Sequence, residues 1–399
     1  MKLSEQVNHQ MTLNKLKIFA LSLLVFLFTQ ACRPQQSSLQ TGESSQANTN
    51  ASANTGGPAG GDVPAGKADF FNGYVGESRI EMKLVRDGER LSGTYSYTKV
   101  GSNLELRGTI DRQGNLSLKE FDDKGTQTGL FKGKWTEDEI EKSGVIEGNW
   151  SKPDGSKETT VYLTQQHLKF QRGLTITSKS LREENKTRRY EYEVAYPQLQ
   201  GAGGAGVEGF NREVSSWATQ QVNEWKSGAG PEAGEEDASP GTDVDTFNIS
   251  YAVKLGTDDL VSVIFNVYSY EHGAAHGNTS SYVINYDLKR ARALKLSDLF
   301  KPGANYLQTV SDYSIKDLKR QARKESAEDP MLPDDQIEEG AAPSAENYQS
   351  WNLTETGLMF TFDSYQVGPY AAGPQRVLIP YTTLREMANP DGPIPALIK

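Results

Sequence analysis

With 399 residues and a formal charge of −10, the chain has length for two or three domains and an acidic balance that argues against nucleic acid and anionic lipid headgroups as partners. Such a surface favours a basic partner instead, and the single cysteine excludes an intrachain disulfide. Lys15 and Lys17 precede the apolar run Ile18 to Phe28, which is shorter than the ~20 residues that span a bilayer, so residues 1–31 read as a signal peptide. Ala31 immediately before Cys32 suggests a lipoprotein signal, in which the Cys32 thiol takes a diacylglycerol and becomes the first residue. Thr29 stands where such signals usually place Leu, and the bland alternative is simple secretion. Residues 32–67 are rich in Gln, Ser, Asn, Ala and Gly and carry almost no large apolar side chain. They read as a flexible tether, which would leave the folded part lipid-anchored in a bacterial envelope, with the periplasmic face of an outer membrane as the expected location.

Residues 68–166 read as an all-β meander. Short alternating runs at Arg79 to Val85, Leu91 to Tyr97, Leu104 to Ile110, Leu116 to Phe121, Gly129 to Trp135, Val145 to Trp150 and Thr159 to Leu163 are separated by hairpin signals. Those signals are Asp87-Gly88, Gln113-Gly114, Lys124-Gly125 and Asp154-Gly155. The series predicts an up-and-down barrel or a strongly bent sheet. Gly93, Gly108, Gly133 and Gly148 recur inside the strands, where glycine marks the bends that closure needs. Trp135 and Trp150 either line a ligand cavity or fill a small barrel, and filling is the simpler reading.

Residues 174–392 read as an α+β unit with an antiparallel sheet and packed helices. A strand ending at Tyr190 to Tyr196 is stopped by Pro197, and Gly201 to Gly206 then precedes a helix with Val207, Phe210, Val214, Trp217, Ala218 and Trp225 at helical spacing. The Gly-rich run lacks Gly-Lys-Ser/Thr, so a nucleotide site is not expected there. Val244 to Leu255 and Leu260 to Tyr270 form a hairpin. Tyr306, Leu307, Val310, Tyr313 and Leu318 share one face of a second helix, which ends in Lys319, Arg320, Arg323 and Lys324. Gly228 to Thr242 and Glu325 to Glu346 read as solvated acidic loops. The unit is organised around Val261 to Phe300, where a strand runs into the loop Glu271 to Ser280 and a second strand leaves through Tyr282, Ile284 and Tyr286. Gly357 to Tyr381 repeats the plan, with two strands flanking a loop of Gly, Pro and Tyr. Recognition residues tend to sit on loops held by a rigid scaffold. The expected binding residues are therefore Tyr270, His272, His276, Asn278, Tyr365 and Tyr370, with the two loops meeting as one surface on a shared sheet.

These stretches resemble the C-terminal extracellular domain of RsiV-type anti-sigma factors, a domain related to those in bacterial lipoproteins and beside some peptidoglycan deacetylases. The resemblance is carried by Tyr270, His272-Gly273-Ala274-Ala275-His276, Asn285-Tyr286-Asp287, Leu294 to Phe300 and Tyr365 to Gly373. It spans Thr246 to Met387, with a weaker companion segment at Ser178 to Trp225. One departure is His272 and an extra Ala where the family usually shows Gly-Gly. The resemblance implies a lysozyme-like muramidase or other cell-wall-associated material as partner. The lipoprotein leader points to an envelope binding protein rather than a transmembrane signaller.

Catalysis is not the expectation. His272 and His276, with Glu271 and Asp298, are possible metal ligands, but the helical His-Glu-x-x-His arrangement is absent and no cofactor or metal is expected. Ser269, His276 and Asp298 form a triad only on paper, as any chain of this length will yield, and no Gly-x-Ser-x-Gly elbow occurs. Two alternatives remain: a cell-wall glycan-modifying enzyme using the His272/His276 loop, and a small-ligand carrier using the N-terminal barrel.

Overall fold

The computed structural model describes residues 66–99, 101–201, 203–229, 244–325 and 331–398. The signal peptide, Cys32 and the body of the tether lie outside the described residues, as does most of the first acidic loop. Strands β1 (Ala68–Val75), β2 (Ser78–Asp87), β3 (Arg90–Tyr97), β4 (Asn103–Ile110), β5 (Asn115–Phe121), β6 (Gln127–Glu137), β7 (Gly144–Ser151) and β8 (Thr159–Gln166) form a closed antiparallel barrel. Closure is made by β1 pairing with β8, and β1 is the strand that alternation alone did not single out. Phe71, Leu91, Tyr95, Leu106, Leu118, Phe131, Ile146 and Leu163 fill the interior, each almost inaccessible to solvent. Both tryptophans are packing residues: Trp135 meets Phe71 edge-on at 5.0 Å, and Trp150 Nε1 donates to the buried Glu120 carboxylate at 2.6 Å. Gly133 and Gly148 face each other across β6 and β7, where a Cβ on Gly148 would lie 2.2 Å from the Lys132 carbonyl oxygen. Only glycine permits the backbones to approach so closely at that bend.

The α+β part begins with a seven-stranded sheet. It contains β9 (Leu168–Lys169), β10 (Thr175–Asn185), β11 (Tyr190–Gln200), β12 (Asp245–Thr257), β13 (Leu260–Tyr270), β14 (Asn278–Asp287) and β15 (Arg292–Ala293). Most pairings are antiparallel, but β12 runs parallel to both β11 and β9. Pro197 does not stop its strand. β11 pairs with β12 only as far as Val194, so the missing N–H of Pro197 removes nothing from that ladder, and the strand continues to Gln200 against β10. Helix α1 (Ala205–Gly228) covers one face of the sheet. Trp217 stacks on Tyr282 at 4.7 Å and Trp225 on Phe247 at 5.2 Å. The glycine-rich run does not all precede α1: Gly206 lies inside it, where a Cβ would stand 1.9 Å from the Leu288 carbonyl oxygen. Its glycine serves close packing of helix on sheet.

On the opposite face sits a second, three-stranded sheet of β16 (Trp351–Leu353), β17 (Gly357–Phe362) and β18 (Gln375–Pro380). The two sheets meet through a buried polar row. Ser262 Oγ donates to Asn285 Oδ1 at 2.6 Å, Asn352 Nδ2 donates to Ser262 Oγ at 2.9 Å, and Asn285 Nδ2 donates to the Trp351 carbonyl at 2.7 Å. Helix α2 (Tyr306–Glu325) packs on this smaller sheet, with Val310 and Leu318 buried beside Phe360, Phe362, Val377 and Ile379. The second acidic segment is not simply a solvated loop. It holds helix α3 (Asp334–Gly340) and a 3-10 turn (Ala345–Tyr348), because Leu332, Ile337, Ala341 and Tyr348 are apolar positions buried in the same core. Among the described residues no helix is long and apolar enough to cross a membrane.

The barrel docks on the part of the β12 edge that neither β11 nor β9 covers. The Tyr251 carbonyl accepts from Asn72 Nδ2 at 2.9 Å and Arg79 Nη2 at 3.2 Å, and the Val253 N–H donates to Gln166 Oε1 at 2.6 Å. Barrel side chains thus satisfy strand groups that would otherwise be an open, sticky edge. A second joint is ionic: Glu141 accepts from Lys254 Nζ at 2.6 Å and Arg376 Nη1 at 2.9 Å, while Asp138 accepts from Arg376 Nη2 at 2.9 Å.

Candidate functional site

The first loop is shorter than its sequence suggests. Asn278, Thr279 and Ser280 belong to β14, which leaves Glu271 to Gly277 as the connection. It opens with a turn in which the Ala274 N–H donates to the Glu271 carbonyl at 3.0 Å, with Gly273 at φ 78°. The carboxylate of Asp245, buried at the start of β12, accepts from both the main-chain N–H and the ring Nδ1 of His272, each at 2.7 Å. This grip spends His272 on positioning: Nδ1 carries the proton toward the carboxylate, and the ring edges the loop rather than reaching a ligand set.

The second loop runs from Asp363 to Pro374, between β17 and β18 of the smaller sheet. The two loops therefore do not spring from one sheet, as their similar patterns suggested, but from two sheets packed face to face. Asp363 ties the second loop to β14, accepting from the Ser281 N–H at 3.0 Å and Ser281 Oγ at 2.6 Å. Gln366 Nε2 donates to the carbonyls of Gly340 and Asn347 at 3.0 and 2.9 Å. Tyr365 lies between these anchors with φ 71° and is 64% exposed. A bulky residue in the left-handed region costs about 1–3 kcal/mol, and such strain collects at sites that use it.

The Gly277 carbonyl joins the loops. It accepts from Tyr370 Oη at 2.9 Å and from His276 Nδ1, also at 2.9 Å, so both of its lone pairs are used. The His276 ring stacks on Tyr370 at 4.2 Å, and Tyr370 contacts Tyr365 at 5.5 Å. From the other side, the Tyr268 ring covers Gly277 so closely that a Cβ there would come within 2.3 Å of Tyr268 Cε2. His276, Tyr365 and Tyr370 thus form one aromatic surface, while His276 Nε2 remains without a partner among the described residues.

Two of the sequence-predicted residues stay apart from it. Tyr270 ends β13 opposite Thr246 and makes no ring contact with the cluster among the described residues. Asn278 opens β14 opposite Ser269, on the same strand face as Tyr282 and therefore toward α1. Asp298 caps its own turn and pairs with Arg292 at 2.7 Å, far from serving His276 in a triad. Among the described residues, no group of three or more His, Cys, Asp and Glu is arranged to hold a metal ion. Sequence reasoning missed Tyr268, Asp245, Asp363 and the role of Gly277. Tyr268 carried a signal in its polar-face alternation with Asn266; a lone aspartate at a strand end carries none.

A family model described as a protein of unknown function, DUF3298, matches residues 297–382, so the chain carries that domain over α2 and the smaller sheet. The peptidoglycan-N-acetylmuramic acid deacetylase PdaC of Bacillus subtilis (strain 168) is 28% identical over 203 residues, covering 51% of this chain. The chain spans only 40% of the length of that curated relative. Among solved structures, a DUF3298 family member from Bacteroides fragilis is similar over 57% of this chain and 97% of its own, with 18% identity and a TM-score of 0.39. A DUF3298 family protein from Pseudomonas aeruginosa PAO1 is similar over 54% of this chain and 95% of its own, with 16% identity and a TM-score of 0.34.

Proposed function

We propose that this chain is a non-catalytic envelope binding protein whose interlocked loops recognise a basic, cell-wall-associated protein, a lysozyme-like muramidase in the first instance. The observation that carries this reading is the Gly277 carbonyl network, which sets His276, Tyr365 and Tyr370 as one exposed aromatic surface before any partner arrives. Rigid aromatic side chains are the type enriched at binding hot spots, and preorganisation lowers the entropy lost on association. The formal charge of −10 supports attraction of a cationic partner. Similarity to PdaC, a protein named for acting on peptidoglycan, supports association with the cell wall. Both histidines are already engaged by Asp245, Gly277 and Tyr370, which favours a binding role for this loop over glycan chemistry. A lipid on Cys32 would hold this surface at the membrane on the tether of residues 32–67.

Calorimetric titration of the full chain with a purified lysozyme-type muramidase tests the reading. Saturable binding that weakens as salt is raised is the expected result. Absence of heat and of complex at low salt would overturn it.

A further inference from the structure

The sheet face turned away from α1 divides into two parts. At one end the buried row of Ser262, Asn285 and Asn352 is tied together by hydrogen bonds. At the other end the same face carries Asn248, Ser250 and Asn266, whose side chains have no hydrogen-bond partner among the described residues. Asparagine is disfavoured within strands, so two such residues near each other on neighbouring strands are a local cost with no packing return. These side chains floor a groove of about 350 Å3, walled by Tyr74 of the barrel on one side and by Asp363 and Pro374 of the smaller sheet on the other. Tyr268 lies on the floor, and Tyr74 and Tyr268 remain 38% and 36% exposed. A second depression of about 290 Å3 shares Tyr74 and Asn248 with the first, so the groove continues past a single subsite.

We propose that this groove binds a glycan strand built of N-acetylated amino sugars. The chemistry matches on three counts. Exposed tyrosine rings offer flat apolar surfaces to the C–H faces of pyranose rings while their hydroxyls stay available for hydrogen bonds. A primary amide both donates and accepts, which complements an acetamido group as well as ring hydroxyls. The floor residues Asn248, Ser250, Asn266 and Tyr268 carry no formal charge, which suits a neutral sugar, and the Asp363 carboxylate in the wall is held by hydrogen bonds from Ser281. The volume lies within the range of about 300–1,000 Å3 usual for small-ligand clefts. Tyr268 and Asp363 border both this groove and the His276–Tyr365–Tyr370 surface, but Asn248, Ser250 and Asn266 belong to the groove alone, so loss of glycan binding with muramidase affinity kept in the Asn266→Ala protein separates the two readings.

The test is calorimetric titration of the full chain with the tetramer of N-acetylglucosamine, with cellotetraose as the counter-probe. The tetramer is expected to bind, and cellotetraose to bind at least tenfold more weakly. Asn266→Ala removes an unbonded, exposed side chain without disturbing the fold and should weaken the tetramer at least tenfold. Tyr268→Ala should do the same, and Met331→Ala, at an exposed apolar side chain outside the groove lining, should leave binding unchanged. Failure of the tetramer to bind, equal affinity for cellotetraose, or full affinity in the Asn266→Ala protein would overturn the proposal.

Discussion

At the scale of single residues, the site rests on a few polar anchors that fix aromatic rings. Tyr365 is the clearest case, because its left-handed φ of 71° is a local cost that 64% exposure does not recover through burial. Asparagine tolerates that backbone region better than tyrosine. Tyr365→Asn should therefore leave the unfolding free energy unchanged or raise it by up to about 1 kcal/mol, while weakening the partner complex. Chemical denaturation and calorimetry on the same protein check both halves. A fall in stability with binding intact would mean that Tyr365 is structural. Tyr370→Phe removes the hydroxyl that bonds to Gly277 and should cost about 0.5–1.5 kcal/mol in the same denaturation measurement. The identities of His276, Tyr365 and Tyr370 were legible in the sequence as Tyr and His in glycine-rich loops. Their anchors were not, because Asp245 and Asp363 act through partners distant in the chain, and no local pattern marks an aspartate that will meet a backbone N–H from another element.

At the scale of elements, glycine positions separate packing from recognition. Gly206 in α1 faces a main-chain carbonyl, which cannot step aside, whereas Gly277 faces the end of the Tyr268 ring, which can rotate away. Gly206→Ala should then destabilise the protein by about 1–3 kcal/mol. Gly277→Ala should cost less stability, yet loosen the joint between the loops and lower partner affinity. Paired thermal melts and titrations of the two variants distinguish these outcomes. The barrel strands from β2 to β8 were readable because their alternation agrees with the turns Asp87-Gly88, Gln113-Gly114, Lys124-Gly125 and Asp154-Gly155. β1 was harder, since Asn72 and Gly73 interrupt its apolar pattern to meet β8 and Tyr251. Pro197 and the acidic stretch around α3 misled for a common reason: local propensity speaks against a strand or helix there, but tertiary context decides. β11 no longer pairs with β12 at Pro197, so that ladder loses no bond there, and Ile337 and Ala341 have a core to enter.

At the scale of the whole molecule, the barrel and the α+β part are joined through Glu141. Burial alone would push its carboxyl up, and the Lys254 and Arg376 charges more than reverse this, leaving it below its ordinary value of 4.5. A carboxylate depressed on folding contributes stability that is fully present above its unfolded value and is lost as pH falls through the lower folded value. Urea midpoints should therefore hold above about pH 4.5 and drop below it. Glu141→Gln should cost about 3 kcal/mol at pH 7, with the difference from wild type shrinking on acidification. The two-unit division between residues 166 and 174 has its own test. A closed barrel has no free edge, so limited proteolysis should release a stable β fragment ending near Gln166, and simultaneous loss of both halves would reject the boundary. The central claim is that loops from two different sheets act as one recognition surface, and one measurement bears on it most directly: the affinity of the full chain for a lysozyme-type muramidase after a single change in each loop, His276→Ala in one and Tyr365→Ala in the other. Both proteins should unfold at their usual denaturant midpoint, and each should lose about 2 kcal/mol or more of binding free energy; full affinity in either folded variant would contradict the shared surface.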